Sequence, residues 1–123
     1  MKASLKNTRH TPRKMATVAS LIKNKPVSLA LEILSVTPKR AAVSLEKLLK
    51  SAIANAKNSG VSIEELFVKE CKVDGGITFK RYMPGARGSA FPIHKHTSHV
   101  NLILGTRQNT KENKSEKRSK TKK

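Results

Sequence analysis

The sequence predicts an α+β fold in which three helices pack on a small antiparallel sheet with a long protruding β-hairpin. Two patterns support this prediction. Apolar residues recur at helical spacing between residues 12 and 56, and from residue 67 they alternate with polar residues, as in strands. With 123 residues, of which 37% are hydrophobic, the chain can form one small core but not the interior of a large enzyme.

Three helices are predicted in the first half of the chain. The first begins at Thr11-Pro12 and ends before Pro26, which opens the second. The third and longest helix begins at Thr37-Pro38 and ends at Asn58-Ser59-Gly60. Because the apolar residues of each helix share one face, we expect them to form the core. The predicted core residues are Met15, Val18, Ala19, Ile22, Val27, Ala30, Leu31, Leu34, Ala41, Ala42, Leu45, Leu48, Leu49, Ala52, Ile53 and Ala56.

The second half of the chain predicts a hairpin. Residues 67–79 place their apolar side chains on the odd positions, with a bulge or bend expected at Gly75-Gly76. Chain reversal is expected within residues 84–88, and a return strand runs to residues 100–104. Each arm is longer than a small helical core can cover. The hairpin is therefore predicted to protrude over about residues 76–97.

The chain is strongly basic. Its 26 Lys and Arg residues against 8 Asp and Glu residues give a formal net charge of +18, which favours binding to a polyanion such as nucleic acid. Acidic residues are absent before Glu32 and between Asp74 and Glu112. Because a surface that serves only solubility mixes both signs of charge, these two stretches predict contacts with phosphate groups. The lysines of the third helix fit a solvated surface equally well.

Composition also predicts how the chain is divided and where it acts. Residues 1–105 are predicted to form the globular nucleic-acid-binding domain, and residues 106–123, which include no apolar side chain, a disordered basic tail. No apolar run approaches the roughly 20 residues that cross a bilayer. The first twenty residues also lack the apolar segment of a secretory signal. We therefore expect a cytoplasmic protein with no membrane partner.

A few residues allow a catalytic or metal-binding function as an alternative to nucleic-acid binding. Cys71 with His94, His96 and His99 could ligate zinc, but their spacing matches no standard structural zinc framework. A Cys–His nucleophile pair lacks an orienting acid and an oxyanion site. The chain also has only four aromatic residues, which argues against serial base stacking on RNA. We predict no enzymatic activity, no metal and no other cofactor.

Several short segments are specific when taken together. They include T-P-R-K at residues 11–14, K-S-A-I-A-N-A at residues 50–56, F-V-K-E at residues 67–70 and K-H-T-S-H at residues 95–99. In this order they resemble the family of bacterial large-subunit ribosomal protein twenty-two, over about residues 3–104. The resemblance implies a structural protein that binds 23S ribosomal RNA (rRNA) and supports assembly of the large subunit.

The resemblance also implies binding partners and a location for the hairpin within the ribosome. The long hairpin is expected to line the exit tunnel of the nascent polypeptide, beside large-subunit protein four, with the protein acting as a monomer within the ribosome. The residues expected to contact rRNA are Arg9, Arg13, Lys14, Lys80, Arg81, Arg87, Lys95, His96, Thr97, Ser98 and His99. The expected tunnel-facing tip comprises Met83, Pro84, Gly85, Ala86, Arg87, Gly88, Ser89, Ala90 and Phe91. Where relatives generally carry arginines near the tip, this chain has Gly85, Ser89 and Pro92.

An architectural DNA-binding protein is the alternative. Such a protein joins a helical body to a basic β-arm that wraps DNA or wedges into its minor groove. It usually dimerises through its helices, whereas here two short helices and a sheet suffice to cover the apolar face of the third helix. Cofractionation with large ribosomal subunits or with the nucleoid distinguishes the two functions.

Overall fold

A computed structural model describes residues 1–106, and most of the predicted tail lies outside these residues. The strands are β1 (Lys2–Thr8), β2 (Leu66–Gly75), β3 (Phe79–Pro84), β4 (Ala90–Lys95) and β5 (Ser98–Thr106). The helices are α1 (Pro12–Ile22), α2 (Val27–Val36) and α3 (Arg40–Asn58). The helices cover one face of an antiparallel sheet, and a separate two-stranded hairpin extends from it. This arrangement confirms the predicted fold class.

The helices follow the predicted periodicity. Proline begins α1 at Pro12, where its missing N–H removes no helical hydrogen bond, although the Thr11 side chain makes no capping hydrogen bond. The third helix begins at Arg40, two residues after Pro38. Every predicted core side chain is buried except Leu31, which is partly buried and packs against the core. The phases of all three helices are therefore confirmed.

Strand β5 lies in the middle of a three-stranded sheet, between β1 and β2. Its alternating side chains bury Val100 and Leu102 beneath the helices and leave Asn101 exposed on the opposite face. Strand β1 pairs with β5 in antiparallel register. The sequence pattern does not reveal β1, because Ala3 and Leu5 are its only apolar residues. Its place in the sheet depends on the partner that β5 provides from the other end of the chain.

The predicted alternation in β2 is wrong in its first part. Odd positions were expected to face the core, but Leu66 and Val68 are buried and Lys69 is exposed. The register against β5 shifts at Lys69, so this extra residue forms a bulge. Because a shift of one residue exchanges the two faces of a strand, the odd residues Cys71 and Val73 face the core only after the bulge.

The hairpin lies between the end of β2 at Gly75 and the start of β5 at Ser98. Strands β3 and β4 pair with each other, and every residue of both strands is exposed. The turn includes a short 3-10 helix, Ala86–Gly88, in which Arg87 and Gly88 have φ values of 56° and 73°. Glycine takes this left-handed conformation freely, whereas an L side chain adopts it at a steric cost.

Candidate nucleic-acid interface

The start of α1 positions the first group of expected RNA-contacting residues. Arg9 precedes the helix, and Arg13 and Lys14 lie in its first turn, which contains no acidic residue. All three side chains are exposed. Because the helix turns Met15 and Val18 into the core, the side chains at positions 13 and 14 are directed outward. Arg9, Arg13 and Lys14 therefore form one exposed basic group at the start of α1.

The hairpin carries the second group of cations. Lys80 and Arg81 lie on β3, Lys95 lies on β4 and Arg87 lies at the tip, all of them exposed. Because successive residues of a strand point to opposite faces, Lys80 and Arg81 present positive charge on the two faces of the hairpin. An RNA that encloses the hairpin therefore meets cations on both faces.

Neither group of cations is neutralised within residues 1–106. The ion pairs of this region are Glu46–Lys50 at 2.6 Å, whose i, i+4 spacing on α3 favours pairing, and Lys72–Asp74 at 3.5 Å. Both pairs lie outside the two groups. Unopposed cations repel one another, so a polyanion that contacts them lowers the electrostatic free energy of the surface.

A cation–π contact joins the two groups. The Arg9 guanidinium carbon lies 5.5 Å from the ring centroid of Phe79, the first residue of β3. The start of α1 is thereby held against the base of the hairpin. The first group of cations therefore meets the base of the strand that carries Lys80 and Arg81.

The K-H-T-S-H segment divides between the surface and the interior. Lys95 and His96 are exposed, whereas Thr97 and Ser98 are 1% and 0% exposed. The Thr97 hydroxyl donates a 2.6 Å hydrogen bond to the carbonyl oxygen of Ile77, which fastens the two arms of the hairpin together at its base. The side chains of Thr97 and Ser98 are covered by protein, which argues against a contact between these two side chains and RNA.

His99 is half-buried and has a partner within the protein. Its Nδ1 accepts a 3.0 Å hydrogen bond from the backbone N–H of Asn7. The segment therefore contributes Lys95 and His96 to the exposed surface, while its last three residues hold the hairpin and β1 to the sheet.

The structure separates the residues considered for metal binding or nucleophilic catalysis. Cys71 lies opposite Leu102 of β5, whereas His94 and His96 lie on the hairpin with their ring centroids 6.3 Å apart. Burial raises the pKa of the Cys71 thiol to about 11, so little thiolate is present near neutral pH. Within residues 1–106, no group of three or more His, Cys, Asp or Glu side chains is placed to hold a metal ion.

A basic cavity adds residues that sequence patterns do not single out. It is a surface cleft of about 590 Å³ between the start of α1 and the start of α3, open to solvent on one side, and five of its seven lining residues are exposed. It is lined by Arg9, His10, Lys14, Thr17, Lys39, Arg40 and Ala41. In the sequence, Lys39 and Arg40 mark only the polar side of α3. Nothing local indicates that they meet Lys14, because that depends on how α1 packs against α3.

Comparison with known proteins identifies the family. Residues 3–105 match the family model described as ribosomal protein L22p/L17e. The chain belongs to this family. The matched region includes the helices, the hairpin and every expected RNA-contacting residue, and it confirms the resemblance indicated by the short motifs. None of the helices within residues 1–106 is long and apolar enough to span a membrane.

Similar proteins from several bacteria are named large ribosomal subunit protein uL22. The protein from Myxococcus xanthus is 50% identical over 105 residues, which cover 83% of this chain and 92% of the relative. That from Caldicellulosiruptor saccharolyticus is 47% identical over 107 residues, covering 86% and 88%. That from Clostridium tetani is 45% identical over 108 residues, covering 87% and 97%.

Proposed function

We propose that this chain is a non-enzymatic structural protein of the cytoplasmic large ribosomal subunit, where it binds 23S rRNA and supports subunit assembly. The observation that carries the proposal is the L22p/L17e match over residues 3–105. The relatives described above are named as proteins of the large ribosomal subunit. The mechanism is electrostatic and geometric: a rigid domain holds cations where several rRNA segments meet.

The proposed rRNA-contacting set comprises the exposed cations, the exposed His96 and the half-buried His99. Its members are Arg9, Arg13, Lys14, Lys80, Arg81, Arg87, Lys95, His96 and His99. Lysine and arginine neutralise phosphates and release condensed counterions, which makes binding favourable and dependent on salt. Two of these residues also have contacts within the protein. Arg9 packs on the Phe79 ring, and His99 accepts a hydrogen bond from the backbone N–H of Asn7.

The hairpin is the part proposed to reach the exit tunnel. Its strands have no second layer within the described domain, and Tyr82, Met83 and Phe91 are 70%, 54% and 55% exposed. A hairpin with so many exposed apolar side chains is poorly suited to open solvent. We propose that rRNA and large-subunit protein four enclose it, and that residues 83–91 face the nascent polypeptide.

The architectural DNA-binding alternative receives no support. Such proteins usually dimerise through their helices, but here α1, α2 and the sheet cover the apolar face of α3. Leu45 and Leu49, in the centre of that face, are 0% exposed. The covered face is consistent with a protein that acts as a monomer within the ribosome.

Cofractionation tests the proposed function. The tagged protein is expressed in the bacterium it comes from, and the cell lysate is separated on a sucrose gradient in high salt. We expect it to sediment with large subunits and to leave that fraction when ribonuclease degrades the RNA. Sedimentation with the nucleoid, or release by deoxyribonuclease instead, contradicts the proposal.

Crosslinking tests the tunnel part separately. A photoreactive amino acid is placed at Met83, and a matched control is placed at Lys57, an exposed residue near the end of α3. In ribosomes that carry a stalled radiolabelled nascent chain, we expect a crosslink from position 83 and none from position 57. Absence of a crosslink from position 83 contradicts the tunnel role without affecting the subunit assignment.

A further inference from the structure

We propose that the basic cavity between α1 and α3 holds one unpaired nucleotide extruded from the bound RNA. This inference rests on the proposed rRNA binding and goes further, because it assigns one nucleotide of the RNA to a defined cleft between two helices. The cavity uses Lys39 and Arg40, which are not among the residues expected to contact RNA.

Charge identifies an anion as the occupant. Four cationic side chains from three segments of the chain converge on the cavity, namely Arg9, Lys14, Lys39 and Arg40. None of the lining residues is acidic, and none of the four cations pairs with a carboxylate within residues 1–106. Like charges gathered around one cavity repel each other, so a phosphate group placed among them is stabilised by all four.

Size and lining favour a nucleotide over a phosphate alone. The volume of about 590 Å³ lies within the range of roughly 300–1,000 Å³ that is typical of small-molecule sites. A single phosphate group leaves most of that space empty. The half-buried His10 ring and the guanidinium groups of Arg9 and Arg40 are planar groups on which an unstacked base can lie. The lining thus combines phosphate-binding and base-stacking chemistry.

The position of Arg9 gives the site a defined geometry. Its guanidinium also packs over Phe79 at the base of the hairpin. The Thr17 hydroxyl donates a 3.0 Å hydrogen bond to the carbonyl oxygen of Arg13. This bond holds the Thr17 side chain against α1. A nucleotide in the cavity therefore lies beside the point where the hairpin leaves the domain. RNA contacts to the cavity and to the hairpin then favour each other.

The first test fills the cavity without changing its charge. Thr17→Trp adds bulk to the lining, and Ser35→Trp places the same residue on an exposed position of α2 that does not line the cavity. Affinity for transcribed 23S rRNA is measured by filter binding at fixed salt. We expect Thr17→Trp to weaken binding about tenfold, the order expected for one lost stacked base, and Ser35→Trp to leave affinity unchanged. Wild-type affinity in Thr17→Trp overturns the proposal.

The second test locates the base by chemical probing of the same RNA. We expect one unpaired base that is protected by the wild-type protein and by Ser35→Trp to become reactive with Thr17→Trp. The double variant Lys39→Ala/Arg40→Ala is expected to lose the same protection, whereas Lys47→Ala/Lys57→Ala, which removes two charges elsewhere on α3, keeps it. Circular dichroism verifies that each variant is folded, and the charge variants provide the test if Thr17→Trp does not fold.

The outcomes separate this inference from the proposed function. If all variants protect the same bases, the cations act as an open surface and the inference is wrong while rRNA binding stands. If the wild-type protein neither binds the rRNA nor sediments with large subunits, the proposed function itself is wrong.

Discussion

The backbone N–H of Asn7 donates a 3.0 Å hydrogen bond to Nδ1 of His99. Asn7 has a φ of 55° and lies where the register of β1 against β5 is irregular. Because a ring nitrogen that accepts a hydrogen bond carries no proton, the neutral His99 ring holds its proton on Nε2. One side chain thereby secures the irregular end of the edge strand to the central strand.

Replacing His99 tests the contribution of this bond to stability. His99→Leu removes the acceptor, and because the Asn7 amide is exposed to water we expect a loss of no more than about 1 kcal/mol in the free energy of unfolding. His99→Asn retains a short side-chain acceptor and should lose less. Urea unfolding measures stability, and hydrogen exchange at the Asn7 amide reports the bond directly. Equal hydrogen-exchange rates of the Asn7 amide in His99→Leu and His99→Asn contradict a stabilising hydrogen bond from this amide to position 99.

Truncation in the core tests the phase of α3. Leu45 and Leu49 are 0% exposed, so replacing either with alanine should cost about 2–5 kcal/mol through lost contacts and a residual cavity. Lys47 lies on the exposed side of the same helix, and Lys47→Ala should change stability by less than about 0.5 kcal/mol. Thermal and urea unfolding provide the comparison. The reverse ranking is incompatible with the described helix.

The double variant Arg13→Ala/Lys14→Ala tests the electrostatic mechanism. We expect log K for 23S rRNA to fall linearly with log salt concentration, and the slope to decrease in magnitude by about 1.5 when two phosphate contacts are lost. Because both residues are exposed, the unfolding transition should remain close to that of the wild type. An unchanged slope would show that these side chains do not contact phosphates, and an early unfolding transition would show a structural role.

Shortening the hairpin tests whether the domain folds without its tip. Met83 pairs with Phe91, so residues 84–90 can be replaced by Asn-Gly, the preferred two-residue connection between paired strands. The removed residues contribute nothing to the buried core. We expect near wild-type stability, incorporation into large subunits, and an altered response to tunnel-binding antibiotics and stalling peptides. Failure to enter the subunit, as complete as that caused by core truncation, would indicate an anchoring role for the tip.

The Cys71 thiol predicts a dependence on pH. Burial raises its pKa from the ordinary value of 9.0 to about 11. As pH rises above 9, the unfolded chain loses this proton before the folded protein does, so the stability contribution is present below that pH and is lost towards pH 11. Alkylation in the native protein should therefore be slow at pH 8 and fast in urea. Equal alkylation rates under both conditions contradict a partly buried thiol with a raised pKa.

Local pattern by itself determined the helices, the charge and the family. Residues three and four apart on a helix share a face, so the buried positions from Met15 to Ala56 follow from spacing. Net charge is additive over the chain, and the short motifs identified the family without a fold. The excess of cations in the two acid-free stretches likewise predicts phosphate contacts from composition alone.

Tertiary structure decided the features that depend on residues far apart in the chain. Strand β1 exists because β5 offers it a partner, and Asn7 meets His99 across 92 residues of sequence. The bulge at Lys69 is set by the register of β2 on β5, and this register determines which side chains reach the core. The burial of Thr97 and the basic cavity also depend on side-chain packing between segments that are distant in the sequence. Local periodicity does not predict such packing.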